Sequence, residues 1–133
     1  DGDSASVAEI LCILSSLSKV GIKQNIAVTG SINQFGEVQA IGGVNEKIEG
    51  FYKVCKLLDD TKDKGVLIPI TNSEDLVLNK EVEEAIEKGE FHIYTMENLQ
   101  DAIEVMMLDN KTSYKDLFKI IEKVVEKYKG KSK

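Results

Sequence analysis

The sequence predicts an α/β domain in which helices are layered on a small, mostly parallel sheet. Segments with apolar residues at helical spacing alternate with short runs rich in β-branched residues, so that helices separate most of the single strands. Connections of this kind return the chain to the same edge of the sheet, and they therefore favour parallel pairing. A chain of 133 residues has the length of one domain and can bury a core.

The first predicted helix begins behind Ser4 and Ser6 and ends at Gly21. Ser6 and Glu9 have the spacing of a capping box. Its apolar residues fall at helical spacing: Val7, Ile10, Leu11, Leu14 and Leu17. Strands are predicted at 22–29 and 37–41, and Gly42-Gly43 ends the second of them and opens a helix through about Leu57.

The second half of the chain continues the alternation. A short apolar strand is predicted at 65–70, where Pro69 lacks an amide hydrogen and so indicates an edge strand or the end of a strand. The elements predicted after it are a helix at 81–88, a strand at 91–94 and a helix at 97–107. The tail has one apolar helical stripe, formed by Leu117, Ile121, Val124, Val125 and Tyr128.

The charge distribution divides the chain in two. Residues 1–110 hold 9 lysines and 20 acidic residues, a balance of −11, whereas 111–133 hold 8 lysines and 3 acidic residues, a balance of +5. We therefore predict a domain at 1–108 and a lysine-rich amphipathic helix at 109–133. The lysines of this helix are predicted to be its solvated face, with docking to a partner as the alternative.

The composition excludes several function classes. The net charge is −6 and the chain has no arginine, which speaks against nucleic-acid binding through a basic face. A single histidine, His92, cannot build a His-rich metal site. Cys12 and Cys55 are isolated and predict buried, reduced thiols, hence a cytoplasmic protein. No apolar run has transmembrane length, so no membrane partner is expected.

Ser4 is a candidate nucleophile. Its position at a predicted helix start is typical of a cap, but the free backbone N–H groups of such a helix end can also stabilise an oxyanion. A nucleophilic serine needs a base. His92 lies in a strand-like apolar run, which favours a structural role for it.

Lys47 is the other candidate base. It falls in the first turn of the helix opened by Gly42-Gly43, where the helix dipole disfavours the charged ammonium, and burial would act in the same direction. A neutral lysine can accept a serine's proton. Taken alone, Lys47 would be interpreted as a solvated surface lysine, so its position does not by itself indicate a base.

Four motifs, in order along the chain, resemble those of the Lon family of proteases. They are D-G-D-S-A-S at 1–6, A-V-T-G at 27–30, G-E-V at 36–38 and I-G-G-V-N-E-K at 41–47. The segment 65–69 followed by Asn72 and Glu74, and the segment 91–106, are similar to later elements of that family, so that the resemblance covers 1–108. The D-G-D-S-A-S form is closer to Lon-related and Lon B-type branches, which include a bacterial group with its own AAA+ ATPase region.

The resemblance implies the chemistry and the site. In that family the serine of the first motif is the nucleophile and the lysine closing the G-G-x-x-E-K motif is its partner, which assigns a Ser-Lys dyad to Ser4 and Lys47. It also implies that the backbone at Ser4 and Ala5 holds the oxyanion, that Thr29 lies near the dyad and hydrogen-bonds Lys47, and that Asp1 shapes the mouth of the site. No metal is needed.

The resemblance also implies a larger assembly. The family's protease domain starts well before the serine, so we expect the N-terminal part of the domain to be missing from this chain. No cofactor is expected here, since ATP and Mg²⁺ belong to an ATPase region upstream and the chain contains no Walker A motif. The implied partners are unfolded or damaged protein substrates and further copies of the chain in a ring, commonly a hexamer.

A second function is kept as the alternative. Certain DNA-repair ATPases end in a non-catalytic Lon-like module that serves assembly and DNA contact and lacks the dyad lysine. Lys47 is present here, and residues 1–110 are acidic, so the sequence favours the protease.

Overall fold

The computed structural model describes residues 5–58, 63–108 and 114–131. Its strands are β1 (Ala5–Ser6), β2 (Ile26–Val28), β3 (Ser31–Ile32), β4 (Val38–Gln39), β5 (Lys64–Pro69) and β6 (Phe91–Met96). Its helices are α1 (Val7–Ser18), α2 (Val44–Leu57), α3 (Lys80–Glu87), α4 (Leu99–Met107) and α5 (Tyr114–Lys131), with a 3₁₀ segment at Ile70–Asp75.

The main sheet is parallel and has the order β2-β5-β6. The register pairs Ala27 with Val66 and Val66 with Ile93. The central strand β5 is buried from Gly65 to Pro69, which explains its continuous apolar sequence. This arrangement confirms the predicted α/β fold with a parallel sheet.

Helices cover both faces of this sheet. Leu67 of β5 is fully buried in one core cluster with residues of α1 and α4. Its neighbours Val66 and Ile68 belong to a second cluster with residues of α2 and α3. Successive side chains of a strand point to opposite faces, so α1 and α4 pack on one face and α2 and α3 on the other.

A second, antiparallel sheet lies beside the first and has the order β1-β3-β4. The predicted strand at 37–41 is here only β4, two residues long, and it belongs to this small sheet. Asn33 holds the turn before it, because its Oδ1 accepts from the N–H groups of Phe35 and Glu37 at 2.9 and 3.0 Å. Strands of two residues carry too little hydrophobic alternation to be predicted from sequence.

Several boundaries in the structure differ from the predicted ones. Helix α1 ends at Ser18 rather than Gly21, because Lys19 adopts a left-handed φ of 63° and the Val20 N–H donates to Ser18 Oγ. Strand β2 occupies only Ile26–Val28, in the second half of the predicted 22–29 segment. Pro69 is the last residue of a central strand, so it marks a strand end and not an edge.

The tail forms the predicted helix. Leu117 of α5 is fully buried in the cluster that contains Val7 and Leu11 of α1, and Ile121 is half-buried against it. The side chains of Val124, Val125 and Tyr128 and the predicted junction at 109–113 lie outside the described residues. Among the helices that the structure describes, none combines the length and apolar character needed to span a bilayer.

Candidate active site

The carboxyl edge of the parallel sheet brings together the segments that carry the motifs. Strand β2 ends at Val28 and continues into Thr29-Gly30, and β5 ends at Pro69 and continues into the 3₁₀ segment. Carboxyl ends of parallel strands share one edge, which is where open α/β sheets place their sites. The first residue of α1 and the segment that leads into α2 are both hydrogen-bonded to residues at this edge.

Thr29 and Gly30 join the start of α1 to the sheet. The Thr29 N–H and hydroxyl both donate to the Leu67 carbonyl, at 3.1 and 2.9 Å. The Gly30 carbonyl accepts from the N–H of Val7 at 3.1 Å. This last bond fixes the first residue of α1 beside the end of β2.

Gly30 itself has no room for a side chain. Its φ is +100°, and a Cβ at this position would lie 2.9 Å from Met96 Cε and 3.1 Å from Pro69 Cγ. The T-G pair of the sequence is therefore explained by a hydroxyl that bonds Leu67 and a glycine that permits close packing at the sheet edge.

Ser4 and Asp1 lie outside the described residues, which begin at Ala5 in β1. The cap of α1 is Ser6, whose Oγ accepts from the Glu9 N–H at 3.0 Å. Capping was one interpretation of Ser4, but the residue that caps α1 is Ser6.

Ala5 pairs with Ile32 of β3. The next hydrogen-bonded position of this ladder is Val7, which donates to Gly30, so the alternation of an antiparallel ladder directs the Ala5 N–H toward β3. This direction gives no support to Ala5 as an oxyanion donor.

Lys47 is carried by the start of α2. Gly43 precedes the helix with a left-handed φ of 70°, and the Lys47 N–H donates to the Gly43 carbonyl at 3.1 Å. The side chain of Lys47 is exposed, so the burial considered at the sequence level is not found among the described residues. Within that part of the chain, its ammonium has neither an ion pair nor a hydrogen bond.

Thr29 and Lys47 are not hydrogen-bonded to each other in the described residues. The hydroxyl hydrogen of Thr29 is directed at the Leu67 carbonyl, and its oxygen therefore keeps lone pairs for a donor. An ammonium is such a donor, so the arrangement is compatible with a contact from a lysine.

Asn72 was named from the sequence only as part of the family resemblance, and the burial and hydrogen bonds of its side chain in the 3₁₀ segment were not predicted. Its Oδ1 accepts from the Ile41 N–H and its Nδ2 donates to the Ile41 carbonyl, each at 2.9 Å. Asn72 is 4% exposed. The sequence shows only an asparagine three residues after the strand that ends at Pro69. Such a position does not indicate that its amide bonds the backbone of Ile41.

His92 and the cysteines stand apart from this edge. His92 lies on β6 opposite Gly65, and its ring is 6.0 Å from that of Tyr94, in keeping with the structural role favoured for it. Cys55 is buried as predicted, but Cys12 is exposed on α1, so the prediction of two buried thiols is wrong for Cys12.

Comparison with known proteins identifies the family. The model of the Lon protease (S16) C-terminal proteolytic domain matches residues 1–109. A Lon protease homolog of Escherichia coli (strain K12) is 44% identical over 107 residues, which are 80% of this chain and 18% of that protein. A Lon protease homolog of Haemophilus influenzae is 39% identical over 131 residues, 96% of this chain and 22% of that protein.

Archaeal relatives match as well. The archaeal Lon protease of Pyrococcus abyssi is 31% identical over 125 residues, which cover 94% of this chain and 11% of that protein. The chain thus spans about a fifth or less of the length of these relatives. Since the family model covers most of the chain, this protein belongs to the family of Lon protease (S16) C-terminal proteolytic domains.

Proposed function

We propose that the chain is the catalytic part of a serine endopeptidase of the Lon type, with Ser4 as nucleophile and Lys47 as base. The observation that carries the proposal is the common anchoring of two helices. The Val7–Gly30 bond ties the segment after Ser4 to the carboxyl edge of the sheet, and the Asn72–Ile41 bonds tie the segment before Lys47 to the same edge. The chain belongs to a family of proteolytic domains, and peptide hydrolysis is a reaction that a serine and a lysine brought to one sheet edge can perform.

In the proposed reaction Lys47 removes the proton of the Ser4 hydroxyl as its oxygen attacks a peptide carbonyl. The acyl-enzyme forms when the amine leaves with a proton returned by Lys47, and Lys47 then activates the water that hydrolyses the ester. The backbone N–H of Ser4 itself would hold the oxyanion of both tetrahedral intermediates, since the Ala5 N–H is directed toward β3. Thr29 accepts a hydrogen bond from the protonated Lys47 and keeps it near the sheet edge, and Asp1 lines the mouth of the site.

The whole protein would act on polypeptides. We propose that its substrates are unfolded or damaged protein chains, that a ring of copies encloses the sites, and that an ATP- and Mg²⁺-dependent module outside this chain drives substrate entry. The residues of this chain need neither group for the acyl transfer itself, since a dyad supplies both nucleophile and base. We propose that this proteolysis takes place in the cytoplasm.

Covalent labelling locates the nucleophile. The full-length protein is treated with a fluorophosphonate, digested, and mapped by peptide mass spectrometry. We expect one adduct on the first motif, at Ser4, because the Oγ of the neighbouring Ser6 is held by the Glu9 N–H as the cap of α1. Ser6 is therefore an internal control two residues away. An adduct at Ser6 or at a serine outside this motif would contradict the proposal.

A further inference from the structure

The side chain of Asn72 acts on one backbone residue as a partner strand would. It satisfies both the N–H and the carbonyl of Ile41, with two hydrogen bonds of 2.9 Å. It is 4% exposed, so water does not compete for these bonds. Removing the amide would leave two backbone groups without partners in a part-buried position.

Ile41 is the last residue before the glycine pair that leads into α2. An added Cβ would meet nothing within 4 Å at Gly42, and at Gly43 only the Glu46 carboxylate at 3.5 Å. Side-chain packing therefore does not fix this pair, and glycine leaves its backbone many conformations. The amide of Asn72 is consequently an anchor for the segment that leads into α2.

A second set of bonds fixes the rotation of α2 about its axis. Asn45 Oδ1 accepts from the Val77 N–H at 2.9 Å, and Glu49 Oε2 accepts from the Asn79 N–H at 2.7 Å. Asn45 and Glu49 are four residues apart and so share one flank of the helix. At about 100° per residue, Lys47 lies on the opposite flank.

The core-facing side of α2 separates the two flanks. Val44 and Ile48 point to the sheet and are buried in the second core cluster. With the start of α2 held by Asn72 and its far flank held by the 77–79 segment, the Cα of Lys47 is fixed on the flank of α2 opposite that segment.

We propose that Asn72 is a positioning residue, which sets the start of α2 and through it the direction of the Lys47 side chain. This inference rests on the proposed function, because it concerns how the base of that reaction is held. Asn72 acts through Ile41 and the helix, and it does not contact the reacting atoms.

The substitution Asn72→Asp tests the role through its pH dependence. A protonated carboxyl reproduces both bonds of the amide, since it accepts from the Ile41 N–H and donates to the Ile41 carbonyl. An ionised carboxylate retains only the first and faces the carbonyl oxygen with a negative charge. Burial raises the pKa of a carboxyl group, so the introduced aspartate would ionise at a higher pH than an exposed one.

The measurement is the rate of fluorophosphonate acylation at Ser4 in the full-length protein, per folded molecule. The Asn72→Asp rate is divided by the wild-type rate at the same pH, so that a titration common to both proteins does not appear in the ratio. We expect the ratio to fall about tenfold or more as the pH rises, because deprotonation releases α2. Asn72→Ala should label at least about tenfold more slowly at every pH.

Asn98→Asp is the matched control. The Asn98 side chain caps α4 by accepting from the Asp101 N–H at 3.0 Å, a role that aspartate performs equally well. It takes no part in the bonds through which Asn72 and the 77–79 segment hold α2. Its ratio to wild type should therefore not change with pH.

The possible results separate the two proposals. A flat ratio for Asn72→Asp would overturn the positioning role even if Asn72→Ala fails to fold, because a structural residue changes the folded fraction and not the rate per folded molecule. If wild type is acylated at Ser4 and the ratio is flat, the proposed function stands alone. If wild type is not acylated at Ser4, both fail.

Discussion

Replacing Lys47 with methionine should lower peptide cleavage and Ser4 acylation by about 10²- to 10⁴-fold while the fold remains intact. The expected loss is that of a general base, since without it the serine hydroxyl keeps its proton. The fold should persist because the Lys47 side chain is exposed and, in the described residues, makes no ion pair or hydrogen bond. Acylation rate and far-ultraviolet circular dichroism measured on the same preparation separate the two effects.

Lys53→Met provides the control on the same helix. Lys53 is also exposed on α2, six residues further along, and its replacement removes the same charge and should leave cleavage at the wild-type level. Combining Lys47→Met with Ser4→Ala should cost no more than Ser4→Ala alone, because the two residues act as a unit. A Lys47→Met protein that cleaves peptides at the wild-type rate would remove Lys47 from the mechanism.

Gly30→Ala should lower the stability of the fold markedly. The new Cβ would lie 2.9 Å from Met96 Cε and 3.1 Å from Pro69 Cγ, at a φ of +100° that L side chains rarely adopt. Met96 is 1% exposed, and its flexible end can shift only within the packed core, whereas Pro69 Cγ belongs to a rigid ring. We expect a loss of about 2–4 kcal/mol in the free energy of unfolding, from backbone strain and overpacking together.

Gly36→Ala separates these two causes. Gly36 has a φ of +82°, but nothing lies within 4 Å of the Cβ that alanine would add. Gly36→Ala should therefore lower the free energy of unfolding by the cost of backbone strain alone, about 1 kcal/mol. Urea unfolding with an unchanged slope gives both values. Equal shifts of the two midpoints would show that close packing at the sheet edge contributes nothing.

The sequence predicts the main elements where hydrophobic pattern is strong. The helix after Gly43 and the strand ended by Pro69 were both predicted close to their observed bounds, because helical spacing and a continuous apolar run each report burial directly. The small sheet was missed because β1 and β3 have two residues each. Their pairing depends on the reversal of the chain after Gly30, which the hydrophobic pattern of the sequence does not predict.

The candidate site shows the same limit. Motif resemblance singled out Ser4, Thr29 and Lys47, but spacing along the chain does not show which backbone groups hold them. The bond from Thr29 to Leu67 joins residues 38 positions apart, and that from Asn72 to Ile41 joins residues 31 apart. Such contacts arise from the parallel pairing of β2 with β5 and the return of the chain along α2, so they appear only in the folded structure.

The distance between Ser4 Oγ and Lys47 Nζ tests the central claim most directly. It is best measured in an experimental structure of the full-length protein, in which every segment of the protease domain is present. The dyad predicts a separation within hydrogen-bond reach, about 2.6–3.2 Å, or one bridging water. A Ser4 hydroxyl paired with another base, with the Lys47 ammonium directed into solvent, would contradict it.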